Sequence, residues 1–457
     1  MKKTILLAAG IGGLLTCASA QAAVIKSEMG WWPHGEVKFS YDTDDPEMRP
    51  LFEQAVSRIN VTFASELGPQ GAPILQLIEV PEDSPDYHLR LVAGITCFSL
   101  NDGVGSLDPT VNIHPSCAPT GSAEGIDPVF IAMHEIMHAV GFEHELTRHD
   151  ARTYTRLLTC NLRDGVRGAG DIHSPDPTSC GIVSIQSSQW EADSKKEPYA
   201  LGGEYDFLSV MHYHPWATSR EENGVRLQTW ELQEGVLSAR FPQLAGYDDF
   251  LALMAARHQL SPGDVAAVKR IYGGGVSDLA VTQEVTKRCK HGDPGEPGCE
   301  RFRTSVKYHV TSKGPWETPA AVLTIDLPAS NIHTSGADKY TWTPQEACIE
   351  TETARLRCDL GALDMFEPAK VEVSVYTTND NGLTFRGTVA HGAGAGVEDL
   401  FPANDEVEQV FTGTLGRGCS LGAPAGSSST FPALLIFSAL GLARRRPSRA
   451  RRSGHAR

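Results

Sequence analysis

The sequence predicts an α+β fold followed by a β-sandwich, and three observations carry that prediction. Residues 46–63 place Leu51, Phe52, Ala55, Val56, Ile59 and Phe63 at helical spacing, with segments that alternate as strands after them. Residues 127–140 hold a second, more apolar helical run that stops at Gly141. From residue 276 the pattern changes to short alternating strands separated by Gly, Asp, Asn and Pro. With 457 residues and 41% hydrophobic content there is ample chain for two cores, and no internal repeat is evident.

Residues 1–22 carry Lys2 and Lys3, an apolar run from Ile5 to Leu15, and the small residues Ala18, Ser19, Ala20 and Ala22. This is the pattern of a secretory signal peptide, too short for a membrane span, with cleavage after Ala20 or Ala22. A lipoprotein reading centred on Cys17 is weaker, because Thr16 is a poor residue before a lipidated cysteine. Cysteine usage agrees with export. With Cys17 and Cys419 set aside, the other eight fall as local pairs: Cys97 and Cys117, Cys160 and Cys180, Cys289 and Cys299, Cys348 and Cys358. An even set in an exported chain reads as disulfides, and a cysteine metal site would need a CxxC pair, which the chain lacks.

Pro46 to Phe63 reads as an amphipathic helix whose apolar face is core, and Tyr87–Val92 and Val111–His114 alternate as strands. His88 and His114, on these strands, read as packing or surface residues. Asp127 and Pro128 read as the N-cap and first residue of the next helix, with Val129, Phe130, Ile131, Met133, Ile136, Met137 and Val140 as core contacts. On it His134 and His138 stand four apart, so both project from one face and can offer a ring nitrogen to one metal ion. Gly141 can take the left-handed conformation that ends a helix, turning the chain so that His144 returns toward that ion. Three neutral imidazoles leave one position open, which distinguishes a catalytic zinc from a closed structural one. Glu135 stands beside them as general base toward water whose pKa zinc lowers from about 15.7 to about 7.

The run HEIMHAVGFEHELTRHD at 134–150 resembles the signature HExxHxxGFxHExxRxD of the astacin family of metzincin metalloendopeptidases. Every fixed position is filled, by His134, Glu135, His138, Gly141, Phe142, His144, Glu145, Arg148 and Asp150. The resemblance implies a two-lobed metzincin catalytic domain over residues 23–275, with one catalytic Zn2+ held by His134, His138 and His144. It implies Glu135 as general base and Glu145 as a buried residue that helps hold the mature amino terminus. It also implies that Trp31–Tyr41 is the first strand of the domain, that Val111–His114 forms the antiparallel edge lining the cleft, and that Cys97 and Cys117 form a family disulfide. A substrate could pair with such an edge as an extra strand. YDFLSVMHYHP at 205–215 resembles the family's Met-turn. There Met211 would floor the three histidines and Tyr213 would donate to the oxyanion of the tetrahedral intermediate, while His212 and His214 are not expected to bind zinc.

Leu260–Tyr272 resembles the closing helix of the family, with Ser261 as N-cap, Pro262 first and Asp264 in the first turn. Two departures stand out. Ala151 and Arg152 follow the signature where the family often has Arg then Asp, and no cysteine follows Tyr272. Gly273, Gly274 and Gly275 follow instead and read as a linker that sets the domain boundary. Cys160–Glu197 reads as a polar loop. The residues between the signal and Trp31 hold neither Asp nor Cys, so no inhibitory prosegment fits there and signal peptidase is expected to create the working amino terminus near Ala23.

Residues 276–412 alternate at Val306–Val310, Ala321–Leu327 and Val371–Tyr376. The opening SDLAV, the Cys348 and Cys358 pair with CDLGAL, and FPANDE at 401–406 resemble immunoglobulin-like repeats of bacterial surface proteins, read as a spacer or accessory module. Residues 413–457 hold Gly418 and Cys419, a Gly, Ala and Ser segment, an apolar stretch from Phe431 to Ala443, and then Arg444, Arg445, Arg446, Arg449, Arg451 and Arg452. The apolar stretch is short for a span of about 20 residues. The whole resembles the myxobacterial type of C-terminal sorting signal, cut near the Gly-Cys pair; a simple tail anchor is the alternative.

Formal charge is −16, and becomes −25 once Lys2, Lys3 and the seven arginines from Arg444 onward are removed. That balance opposes binding to nucleic acid or anionic membrane. The expectation is a secreted or surface-anchored zinc-dependent endopeptidase acting on protein or peptide substrates, with no nucleic-acid partner, anchored to the bacterial cell envelope through its tail. The alternative is a catalytically silent metzincin scaffold that serves as an envelope binding or adhesion protein.

Overall fold

The computed structural model describes residues 24–25, 31–43, 45–94, 98–100, 109–114, 127–164, 176, 178–181, 204–291, 301–328, 340–377 and 383–411. The signal segment, the tail, and the pairings of Cys97 with Cys117 and of Cys289 with Cys299 lie outside the described residues. The other two pairs are disulfides, Cys160 to Cys180 and Cys348 to Cys358.

The first half is a mixed sheet with two helices packed against it. In chain order its elements are β1 (Val24–Ile25), β2 (Glu36–Asp42), α1 (Met48–Phe63), β3 (Gln76–Glu79), β4 (Leu89–Ala93), β5 (Phe98–Leu100), β6 (Thr110–Ile113), α2 (Pro128–Val140) and β7 (Phe142–Glu143). The sheet order is β3-β2-β4-β6-β5, parallel throughout except where β5 runs antiparallel to β6 at the edge. The antiparallel edge expected at Val111–His114 is therefore misplaced: that segment is an inner strand, parallel to β4, and the edge is Phe98–Leu100. A strand of three residues is too short for alternation to reveal it.

Helix α1 forms where its apolar spacing predicts, buries Phe52, Ala55, Ile59 and Phe63, and starts where the Asp45 carboxylate accepts the Glu47 and Met48 N–H groups. It shares one core with Val37, Phe39, Leu89, Leu91, Val111 and Ile113 of the sheet and with Ala132, Met133 and Ile136 of α2. Each such large apolar side chain contributes about 1.5–3 kcal/mol on burial. A second lobe is built around Leu146, Tyr205, Phe207, Trp230, Phe250 and Met254. The closing helix, Pro262–Tyr272, then returns to the first core through Ala267, Val268, Ile271 and Tyr272.

After it come two antiparallel sheets. One orders Leu279–His291, Arg301–Ser312, Ala369–Thr377 and Tyr340–Thr343; the other orders Cys348–Glu352, Arg355–Leu363, Thr318–Asp326, Leu383–His391 and Glu406–Phe411. Of the three strands read from alternation, Val306–Val310 and Val371–Tyr376 fall within these, and Ala321–Leu327 overruns Thr318–Asp326 by one residue. Val306, Tyr308, Val371 and Val373 of the first sheet share one core with Leu323, Ile325, Leu356 and Phe385 of the second.

The glycines after Tyr272 do not act as a free linker. Gly274 and Gly275 turn the chain at φ +94° and +81°, and Val276–Ser277 then pairs in parallel with Glu398–Asp399. Leu400 and Phe401, far along the strand-rich half, lie in the first core beside Trp31 and Tyr272. A boundary at residue 275 thus cuts through a shared core, which local composition could not show.

Candidate functional site

Helix α2 begins as its sequence dictates. The Asp127 carboxylate accepts the Val129 N–H at 2.9 Å, and Pro128 occupies the first helical position, where no N–H is needed. It ends at Gly141, φ 115° and ψ 8°, whose N–H donates to the His138 carbonyl. Two aromatic side chains satisfy the next exposed carbonyls: Trp32 Nε1–H donates to Ala139 at 2.8 Å and Tyr272 O–H to Val140 at 2.8 Å.

All three predicted ligands converge. His134 Nδ1 lies 2.7 Å from the Val210 carbonyl and His138 Nδ1 lies 2.7 Å from the Phe142 carbonyl. A carbonyl only accepts, so each Nδ1 carries the hydrogen and each Nε2 presents a lone pair. The Nε2 atoms of His138 and His144 are 2.9 Å apart, and those of His144 and His134 3.2 Å apart. Among the described residues this is the one cluster of three such groups whose ligand atoms all lie within 4.8 Å of one another. The donor set fits zinc: at about 2.0–2.1 Å per Zn–N bond a tetrahedral site separates its nitrogens by about 3.3 Å. The outer hydrogen bonds that orient the rings are the kind metal-bound histidines use.

The 205–215 segment packs against the histidine cluster. Val210 supplies the carbonyl for His134, Met211 is buried and its carbonyl accepts the Glu145 N–H at 3.0 Å, and the Tyr213 ring lies 4.1 Å from that of His144. Glu135 is buried on the same helix as His134. Burial, with the Glu135 and Glu143 carboxylates nearby, raises the Tyr213 pKa well above its ordinary value. His212 and His214 sit on the same segment and outside the cluster; His212 Nδ1–H donates to the Tyr213 carbonyl and its Nε2 accepts from Tyr205 O–H at 2.8 Å.

Two residues anchor this segment that local reading did not assign to it. Asp264 completes a capping box with Ser261, and the same carboxylate accepts the Ser209 hydroxyl at 2.6 Å and the Val210 N–H at 2.8 Å. Arg257, buried, donates to the carbonyls of Met254, Ser209 and His212. The capping box is visible in sequence, but its second use lies more than fifty residues away and leaves no local signal. Glu145 is fully buried, accepts from Arg148 and from the Asp206 N–H, and burial pushes its pKa up to about 8 against the opposing pull of Arg148. Arg148 in turn forks onto both oxygens of Asp150 at 2.9 Å, which explains why these three signature residues occur together.

Residues 24–179 match the model of the astacin peptidase family. This segment is an astacin-family domain. Relatives include zinc metalloproteinase nas-13 of Caenorhabditis elegans, 30% identical over 141 residues that make up 31% of this chain and 25% of that protein. Bone morphogenetic protein 1 of Xenopus laevis is 27% identical over 146 residues, 32% of this chain and 16% of that protein. The chain spans about a quarter or less of the length of such relatives. Among solved structures, high choriolytic enzyme 1, a hatching enzyme zinc-protease from Oryzias latipes, aligns over 54% of this chain and 96% of its own, with 16% identity and a TM-score of 0.34. The astacin match ends before Met211 and Tyr213, so those two residues are tied to the domain by the Val210 carbonyl and the packing of the tyrosine ring on His144.

Proposed function

We propose that this chain is a zinc-dependent endopeptidase that cleaves protein or peptide substrates. The observation that carries the reading is the convergence of the Nε2 atoms of His134, His138 and His144 at zinc-ligand separations; the astacin-family match supports it. Zinc, when bound, supplies a Lewis acid that polarises a carbonyl and makes water more acidic. The chain's own residues do the rest. Glu135 takes the proton of the attacking water and returns it to the leaving amine, which balances the proton inventory of peptide hydrolysis. Tyr213 donates its hydroxyl hydrogen to the oxygen on which negative charge develops. The buried histidine face excludes bulk water, so these charges act in a low-dielectric surrounding.

The strand-rich half is an immunoglobulin-like β-sandwich in this reading, supported by its two sheets around one core. The protein is exported and held at the cell envelope, supported by two disulfides, which suit an oxidising compartment, and by the sequence of both ends. The working amino terminus lies near Ala23. Val24 and Ile25 pair with Glu143 and Phe142, two and three residues before Glu145, which favours that start. The decisive experiment is digestion of denatured protein substrate by parent and Glu135→Gln, each with zinc content measured. The reading expects chelator-sensitive internal cuts by the parent and none by a variant that still holds zinc. Cleavage by the variant at the parental rate refutes the assignment of Glu135.

A further inference from the structure

We propose that the strand-rich half is a working part of the metal centre, with Phe401 and Trp31 as positioning residues for His144. This rests on the metal reading above. The His144 imidazole reaches the other two only because Gly141 turns the chain after α2, and that turn is walled by Trp31: a Cβ on Gly141 would lie 2.5 Å from Trp31 Cζ3. Trp31 is in turn fixed from the other half of the molecule. Phe401 stacks on it at 6.0 Å with 13° between the rings, and the Trp31 N–H donates to the Lys313 carbonyl at 3.0 Å. The adjoining residues make the same crossing. His34 N–H donates to the Pro315 carbonyl, and its ring lies 5.0 Å from that of Trp316. Arg270, on the helix whose last residue caps Val140, pairs with Glu398 at 2.8 Å.

The aromatic contacts at the end of α2 lead to the seam through Tyr272 and Trp31. Trp32 and Tyr272 hold the last carbonyls, Trp31 bridges between Tyr272 and Phe401, and Phe401 is anchored by its N–H to the Asp399 carboxylate at 2.7 Å. A metal site held by a flexible turn loses affinity when the shell that orients its ligands loosens. Phe401, more than 250 positions beyond His144, belongs to that shell.

The test uses the full chain loaded with cobalt(II), whose visible absorption reports the geometry of the three-histidine site whether or not any peptide is cleaved. Phe401→Ala should shift the visible bands and speed transfer of cobalt to a chelator about tenfold. Phe401→Tyr, which keeps the stack, should restore both. Val373→Ala, in the core between the two sheets, should lower thermal stability and leave bands and transfer rate at parental values. If Phe401→Ala does not fold, Phe401→Leu keeps the apolar volume without the ring and should show the same direction. Parental bands and rate in Phe401→Ala or Phe401→Leu, or an equal change in Val373→Ala, overturn the proposal. A parent that takes up no cobalt overturns the metal reading itself, and this inference with it.

Discussion

Tyr213 is the residue at which position and protonation state meet. Its ring lies against that of His144, and burial raises its pKa above the ordinary tyrosine value. Tyr213→Phe keeps the ring and loses only the donor. Steady-state kinetics should then show kcat reduced about 100-fold with KM little changed, the signature of an interaction made in the transition state. An equal rise in KM would instead make Tyr213 a substrate-binding residue. Arg257 is the corresponding structural case. Its guanidinium is buried and donates to the backbone carbonyls of Met254, Phe207, Ser209 and His212, and desolvation lowers its pKa to about 10 despite the attraction of Asp264 and Asp206. Arg257→Met leaves those carbonyls without their donor and should cost about 3 kcal/mol in urea unfolding.

At the scale of elements, α2 and its terminating turn carry the site. Gly141 has a backbone angle that an L side chain tolerates poorly, and Trp31 fills the space a Cβ would need. Gly141→Ala combines the left-handed penalty of about 1–2 kcal/mol with overpacking of about 1–3 kcal/mol. A fall in the urea midpoint together with weaker zinc retention in chelator competition is the expected outcome; loss of stability with unchanged zinc retention would separate the turn from the site. The 205–215 segment depends on the helix Pro262–Tyr272 in the same way. Asp264→Asn removes a charged acceptor from the Ser209 hydroxyl and Val210 N–H, so the carbonyl that orients His134 is freed to move. Zinc should dissociate about tenfold faster from that variant, read by the same competition.

The whole molecule is joined across a seam beside which lie one buried and one half-buried acid, Asp278 and Asp405. Asp278 is fully buried and burial, with the charge of Asp399 adding, raises its pKa to about 7; burial and the charges of Asp399 and Asp278 take Asp405 to about 8. Both folded values lie above the unfolded carboxyl value of about 3.9. The native state therefore holds protons that the unfolded chain releases. Their contribution to stability is fully present below about pH 4 and is lost as pH rises through the folded values of about 7 and 8. Thermal unfolding of the parent should fall by several degrees between about pH 5 and pH 9. Asp278→Asn should flatten that fall, and an equally steep profile in the variant would show that the seam acids are not its source.

The His134 and His138 pair, the turn at Gly141, the return of His144 and the helix cap at Asp127 could all be read in advance because each depends on residues within about four positions, where helical geometry and glycine stereochemistry act directly. The alternating strands near Val306, Ala321 and Val371 were legible for the same reason. What needed tertiary structure were the three-residue edge Phe98–Leu100, the anchoring of the 205–215 segment by Asp264 and Arg257, and the placement of Leu400 and Phe401 in the core of the other half. Trp32 reaches Ala139 across 107 positions and Tyr272 reaches Val140 across 132. Contacts of that separation follow no period along the chain, so they exist only once both cores have formed and brought the aromatic side chains to the end of the histidine helix.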